Sequence, residues 1–279
     1  MDWIVPVSTV ERLQGCLRPE TEHVALSTLR EQGCVLLRGV FETAFIDQLA
    51  AEFTARYGAL DAAAMKQLSG RPPPNPLLEV GVDRFEITVA MTGAFARLGL
   101  FANPLLRRFL SAQLGADMRL SGFTAVVSHP GAPMQHSHRD HGYLFSGNDP
   151  TLNLPPYAIN CAVPLIDVDD ETGPTAIWPG SHKWTEAIDP PPATAQGIAF
   201  QRGDCVLMDY RTLHAGLPNR GSRPRPILYM VYARTWFFDE VNHIGRAALD
   251  MPFEAFAGMP ADVHPLLLRA YSQAVRARR

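Results

Sequence analysis

Apolar positions in the N-terminal third of the chain fall at helical spacing. Leu26, Leu29 and Arg30 follow that spacing, and Gly33 marks the stop. Cys34-Val35-Leu36-Leu37 then predicts a short buried strand closed by Gly39. Phe45, Leu49, Phe53 and Tyr57 recur every four residues with Ile46 beside them. That is the core-facing stripe of an amphipathic helix, ended at Gly58.

From about residue 120 the texture changes. Leu120 to Val127, Ala158 to Ile166, Cys205 to Met208 and Ile227 to Trp236 are apolar, partly β-branched runs, and each predicts a strand. Turn pairs such as Pro130-Gly131, Gly173-Pro174 and Pro218-Asn219 separate them. Short strands with dense turns and no helices between them predict an antiparallel sandwich or barrel. Helical spacing returns after Pro260. The expected fold is mainly β with flanking helices, as a single domain over 1–279. It would have a helical N-terminal part to about 115, a β core of about 118–238 and a C-terminal helix of about 261–278. The proline runs at 72–74 and 190–192 read as exposed connections, not domain linkers.

Composition supports a packed domain: 279 residues, 47% hydrophobic and 19% charged. A net charge of −3 offers no basic surface for nucleic acid or an anionic membrane. No apolar run is long enough to span a membrane, and the acid-bearing N-terminus does not look like a signal peptide, so a cytoplasmic location is expected. Cys16, Cys34, Cys161 and Cys205 lie far apart, which favours free thiols over a disulfide framework.

The densest polar cluster is Gln135-His136-Ser137-His138-Arg139-Asp140-His141. In an extended segment alternate residues share a face. His136, His138 and Asp140 would then project together, with His141 opposite. An imidazole and a carboxylate two residues apart suit a metal of mixed nitrogen and oxygen preference. A third ligand must come from elsewhere, and His214 follows the apolar run Cys205 to Met208. Two histidines and one carboxylate form the facial set of non-haem Fe(II) oxygenases, leaving coordination positions open. Arg225 stands eleven residues beyond His214, across a turn, and a buried guanidinium suits a dicarboxylate. Arg223 shares its face and competes for that role.

Taken in order, these residues resemble the phytanoyl-CoA dioxygenase family of Fe(II)- and 2-oxoglutarate-dependent oxygenases. The matching positions are Gln135, His138 and Asp140; Gly173, Thr175 and Pro179 to His182; Gly203-Asp204; His214; and Arg225. The resemblance spans about residues 20 to 240 and implies a double-stranded β-helix, a cupin-like jelly roll. It implies iron held by His138, Asp140 and His214, with 2-oxoglutarate and O2 as cosubstrates. It implies that Arg225 pairs with the distal carboxylate, and that Thr175 and Gln135 also contact the cosubstrate. The resemblance also offers Arg84 as a contact to the near carboxylate, as in some relatives; the alternative is an exposed strand residue. His136, His141, Tyr143 and Trp236 are candidates for the substrate pocket. The implied reaction is hydroxylation of an unactivated C–H bond of a small molecule in secondary metabolism, by a monomer or homodimer. With Asp140 filling the carboxylate position, halogenation is not expected. A hydroxylase of a free amino acid or acyl-thioester, and a non-catalytic jelly-roll metal-binding protein, are the competing readings.

Overall fold

The computed structural model describes residues 3–73, 75–142, 144, 154–184, 195–239, 241–243 and 246–276, the last four by backbone alone. Tyr143 and the proline run at 190–192 lie outside these residues. The strands are β1 (Ile4–Pro6), β2 (Cys34–Arg38), β3 (Leu77–Gly81), β4 (Arg84–Thr88), β5 (Arg119–Ser128) and β6 (Ala158–Pro164). They continue with β7 (Thr175–Ile177), β8 (Gln196–Ile198), β9 (Cys205–Asp209), β10 (His214–Gly216) and β11 (Arg225–Ala233). Eight of them form one sheet in the order β1-β2-β9-β6-β11-β5-β4-β3, and β10-β7-β8 form a second. All the pairings within these sheets are antiparallel except β1 with β2.

The helices are α1 (Thr9–Gln14), α2 (Pro19–Gln32), α3 (Thr43–Tyr57), α4 (Ala62–Ser69), α5 (Leu98–Phe101), α6 (Pro104–Leu114), α7 (Phe253–Ala257) and α8 (Leu268–Arg276). The stripe read from sequence holds in α3, where Ile46, Leu49 and Phe53 are buried. The strand expected at Cys34 to Leu37 is β2. The N-terminal part also supplies strands that were not expected, β1 beside β2 at one edge of the large sheet and β3 and β4 at the other.

Strand parity sorts the core. On β11, Leu228, Met230 and Tyr232 join the cluster packed with helix residues such as Phe53 and Leu110. The alternate residue Ile227 joins Leu36, Ala162, Val206, Met208 and Ile177 in a second cluster. That second cluster fills the space between the two sheets, as in a sandwich. The inner face of β11 also carries Arg225 and Tyr229, His214 comes from β10 of the smaller sheet, and there the interior opens into a cavity of about 270 Å3.

The loop structure behind this cavity depends on one glycine. Gly33 ends α2 with φ 77°, in the left-handed region. A Cβ at Gly33 would lie 2.5 Å from both His182 Nδ1 and Thr212 Oγ1. Gly33→Ala therefore combines left-handed strain of about 1–2 kcal/mol with a clash against the segment leading to His214. We expect a clear fall in melting temperature, and an unchanged melt would refute this packing argument.

Candidate metal and cosubstrate site

His138 and Asp140 sit in the loop segment between β5 and β6, and His214 opens β10. The two histidines meet as a reciprocal main-chain pair: His138 N donates to His214 O, and His214 N to His138 O, both at 2.9 Å. This isolated antiparallel bridge sets their rings 4.4 Å apart, centre to centre. One donor atom from each of His138, Asp140 and His214 lies within 4.8 Å of the others. His214 Nε2 is 3.5 Å from Asp140 Oδ1.

Each imidazole is oriented by its own backbone. Nδ1 of His138 contacts His136 O at 3.1 Å, and Nδ1 of His214 contacts Thr212 O at 3.0 Å. A carbonyl only accepts, so each Nδ1 carries the proton and each Nε2 keeps a lone pair. Burial, reinforced by the neighbouring His214, pushes the His138 pKa down to about 3. Burial pushes the Asp140 carboxyl up, opposed by His214 and a hydrogen bond from Asn160. Two imidazole nitrogens and one carboxylate oxygen are a donor set that fits Fe(II).

The depressed His138 pKa has a consequence for the metal-free protein. Between an ordinary value near 6.5 and the folded value of about 3, the unfolded chain binds a proton that the folded chain does not. The contribution of His138 to stability should therefore fall as pH drops below about 6.5 and continue falling towards 3, against the opposite contribution of the raised Asp140 carboxyl. Thermal melts of metal-free wild type and His138→Gln across that window check this. The variant's curve should be flatter, and parallel curves would refute it.

The segment leading into His214 is anchored from behind. Leu213 N donates to Ser181 Oγ at 2.8 Å, and Thr212 Oγ1 to Gly33 O at 2.9 Å. The Pro-Gly-Ser-His stretch is thus a buried brace, with His182 Nε2 3.0 Å from Arg30 O. Gly203-Asp204 has a similar role: Asp204 Oδ1 accepts from Gly39 N at 3.0 Å, and Oδ2 from Gln201 N at 3.0 Å. Arg139, between the two predicted ligands, also lines the cavity and donates to Arg211 O at 2.8 Å and Ser181 O at 3.2 Å.

Arg225 on β11, Ser128 on β5 and Arg84 on β4 lie in one row across three paired strands. Arg225 is 2% exposed and lines the cavity, whereas Arg223 is exposed. Arg225 Nη1 donates to Gly173 O, and among the described residues its buried Nε has no partner and its guanidinium makes no ion pair. A buried cation with no anion beside it fits an anionic ligand.

Arg84 is not an exposed strand residue: it is 1% exposed. Its guanidinium braces the loops, donating to Pro133 O at 3.2 Å, Ser128 Oγ at 3.2 Å and Leu217 O at 3.0 Å. Burial and then Arg225 push its pKa down to about 10. A Cβ on Gly216 would come within 3.1 Å of Arg84 Cζ, so the bare glycine makes room for this packing.

Thr175 and Gln135 line the cavity. Thr175 bonds the Tyr229 hydroxyl, while the Gln135 amide accepts from Gly216 N at 3.0 Å and donates to Val80 O at 3.1 Å. His136 reaches the cavity wall but is exposed and stands outside the three-donor group. Strict alternation fails here because the chain around it is not a regular strand. His141 packs on the Phe237 ring at 5.3 Å, and Trp236 is 59% exposed; neither lines the cavity.

Among the wall residues that the sequence reading did not single out are Asn160, Tyr229 and Glu86. Tyr229 had a signal, since it lies four residues along β11 from Arg225 and so on the same face. Asn160 had one too, as an amide inside an apolar run. Glu86, paired with Arg246 Nη2 at 2.6 Å, had none.

The sequence profile of the phytanoyl-CoA dioxygenase family matches residues 29–227. The chain belongs to this family. Among curated relatives, the dioxygenase trt7 of Aspergillus terreus is 33% identical over 153 residues. That match covers 53% of this chain and 53% of trt7, so the chain spans about half of that relative's length. The multifunctional dioxygenase ausE of Emericella nidulans is 26% identical over 227 residues, covering 74% of this chain and 71% of that protein. Among solved structures, HygX of Streptomyces hygroscopicus, with nickel and 2-oxoglutarate bound, superposes with a TM-score of 0.60 at 17% identity. It covers 80% of this chain and 90% of HygX. The family's jelly roll is the fold seen here. No helix among the described residues is long and apolar enough to cross a membrane.

Proposed function

We propose that this member of the phytanoyl-CoA dioxygenase family is an Fe(II)- and 2-oxoglutarate-dependent dioxygenase that hydroxylates an unactivated C–H bond of a small molecule in secondary metabolism. The observation that carries this reading is the pairing of two features in one cavity. Two oriented imidazoles and a carboxylate converge there, and a buried arginine without an anionic partner among the described residues lines the same wall. A metal store would need the first feature and not the second.

In this reading His138, His214 and Asp140 hold Fe(II), the histidines through the Nε2 atoms that their backbone contacts leave free. Iron, with 2-oxoglutarate and O2, supplies the oxidising power; the protein supplies position. Arg225 grips the distal carboxylate of 2-oxoglutarate, and Thr175 and Gln135 flank it. Arg84 holds the wall behind them in shape through its three loop contacts. His136, at the rim, is the pocket candidate best placed to meet a substrate. Residues 1–279 form a single domain in this reading, supported by a sheet that mixes β1 to β4 with strands as late as β11. The four free thiols, three of them buried, suit a reducing, cytoplasmic setting, with the protein acting as monomer or homodimer.

The test is O2-dependent formation of succinate from 2-oxoglutarate by the Fe(II)-loaded protein, first alone and then with candidate substrates. Succinate formation that requires both O2 and Fe(II) is expected. Tight Fe(II) binding with no succinate under any condition would instead favour the non-catalytic reading.

A further inference from the structure

Asn160 is the one strongly polar side chain of β6, a strand whose seven residues are all buried. It lies on the inner face, opposite Val231 of β11 and Met208 of β9, and is 7% exposed. Its Nδ2 donates to Asp140 Oδ2 at 3.2 Å, while its Oδ1 is buried with no hydrogen-bond partner among the described residues. The amide's orientation follows from charge, because a carboxylate oxygen only accepts and the NH2 end must face it. The other carboxylate oxygen, Oδ1, is the one 3.5 Å from His214 Nε2.

The backbone of Asp140 is held separately. Asn242 Nδ2 donates to Asp140 O at 2.6 Å. Asn242 is itself fixed by the buried Asp239 carboxylate, which accepts from Asn242 N at 3.1 Å and from its Nδ2 at 2.9 Å. The Tyr210 hydroxyl donates to the same carboxylate at 3.2 Å. That contact restrains the main chain at Asp140 and leaves the orientation of its carboxylate to be set by other partners.

We propose that Asn160 is a positioning residue for the carboxylate ligand: by holding Oδ2 it turns Oδ1 towards the two imidazoles, so that Asp140 offers a metal one oxygen. This rests on the reading of His138, Asp140 and His214 as the metal site. Stability alone does not account for the residue. An amide with an unpaired carbonyl inside an apolar strand is a worse occupant than an apolar side chain of similar size. What it does provide is a donor for Asp140, and partners of this outer kind orient ligands and tune metal affinity.

The experiment titrates Co(II) into metal-free wild type, Asn160→Leu, Asn160→Ala and His214→Ala, following d–d absorption and calorimetric affinity. Thermal melts of the same metal-free proteins run alongside. Asn160→Leu should weaken Co(II) binding by ~10–100-fold and alter the d–d bands, yet melt at or above the wild-type temperature. If the leucine does not fit, Asn160→Ala gives the same comparison without added bulk. Wild-type affinity and spectrum in both variants, with binding lost in His214→Ala, would overturn the positioning role alone. A lowered melting temperature with an unchanged spectrum would mark a purely structural residue and overturn it equally. Co(II) uptake absent in wild type, or retained in His214→Ala, would bring down the metal-site reading and this proposal with it.

Discussion

Replacing His214 with alanine should remove most Fe(II) binding and nearly all 2-oxoglutarate turnover while leaving the fold in place. The loss should exceed the ~10–100-fold typical of an outer-shell partner, because a direct donor is deleted from a set of three. The fold should survive because His214 is tied in by backbone groups. Its N and O pair with His138, and the segment before it is held by Ser181 and Gly33. Alanine keeps every one of those bonds. Calorimetric Fe(II) or Co(II) titration under anaerobic conditions reads the binding, succinate formation reads the turnover, and circular dichroism reads the fold. A His214→Ala protein with wild-type turnover would show that the three converging donors are not the metal site.

Arg225→Ala should weaken 2-oxoglutarate by at least ~30-fold, since truncating one partner of a buried charge pair costs about 2–5 kcal/mol. Arg223→Ala should change the affinity little, because Arg223 is exposed. Arg225→Lys should recover only part of the loss, as an ammonium cannot make the paired contacts of a guanidinium. A second consequence runs the opposite way. In the ligand-free protein Arg225 is a buried cation with no ion pair among the described residues, so its removal should lower the melting temperature little or even raise it. A large affinity loss with little stability loss is the signature of a side chain kept for its ligand. Equilibrium binding of 2-oxoglutarate to the Co(II)-loaded protein provides the first measurement and thermal melts the second. If Arg223→Ala carries the loss and Arg225→Ala does not, the dicarboxylate clamp lies two residues earlier.

Local pattern alone determined a good part of this molecule. The four-residue stripe from Phe45 to Tyr57 could only be the buried face of a helix, and α3 is that helix. The apolar run from Ala158 predicts a strand, and β6 is that strand, lying between β9 and β11. The three converging donors and Arg225 were legible because their order and spacing are those of a known family, and within that order His138 and Asp140 are neighbours by chain alone. Side-chain direction within one element is a local property, and the sequence carries it.

Other features were decided by which distant strand lies alongside. The short strands β3 and β4 have weak alternation, and they join the sheet only because β5 offers them an edge. That pairing puts Arg84 in a row with Ser128 and Arg225 and buries it, where isolated pattern allowed an exposed residue. The meeting of His138 with His214 is an isolated bridge, so the strand alternation that put His136 beside them did not extend that far. Asn160 faces Asp140 because the loop after β5 folds back over β6, and Asn242 reaches the same residue from beyond β11. Such contacts depend on the register and packing of segments far apart in the chain, which no window of local sequence contains.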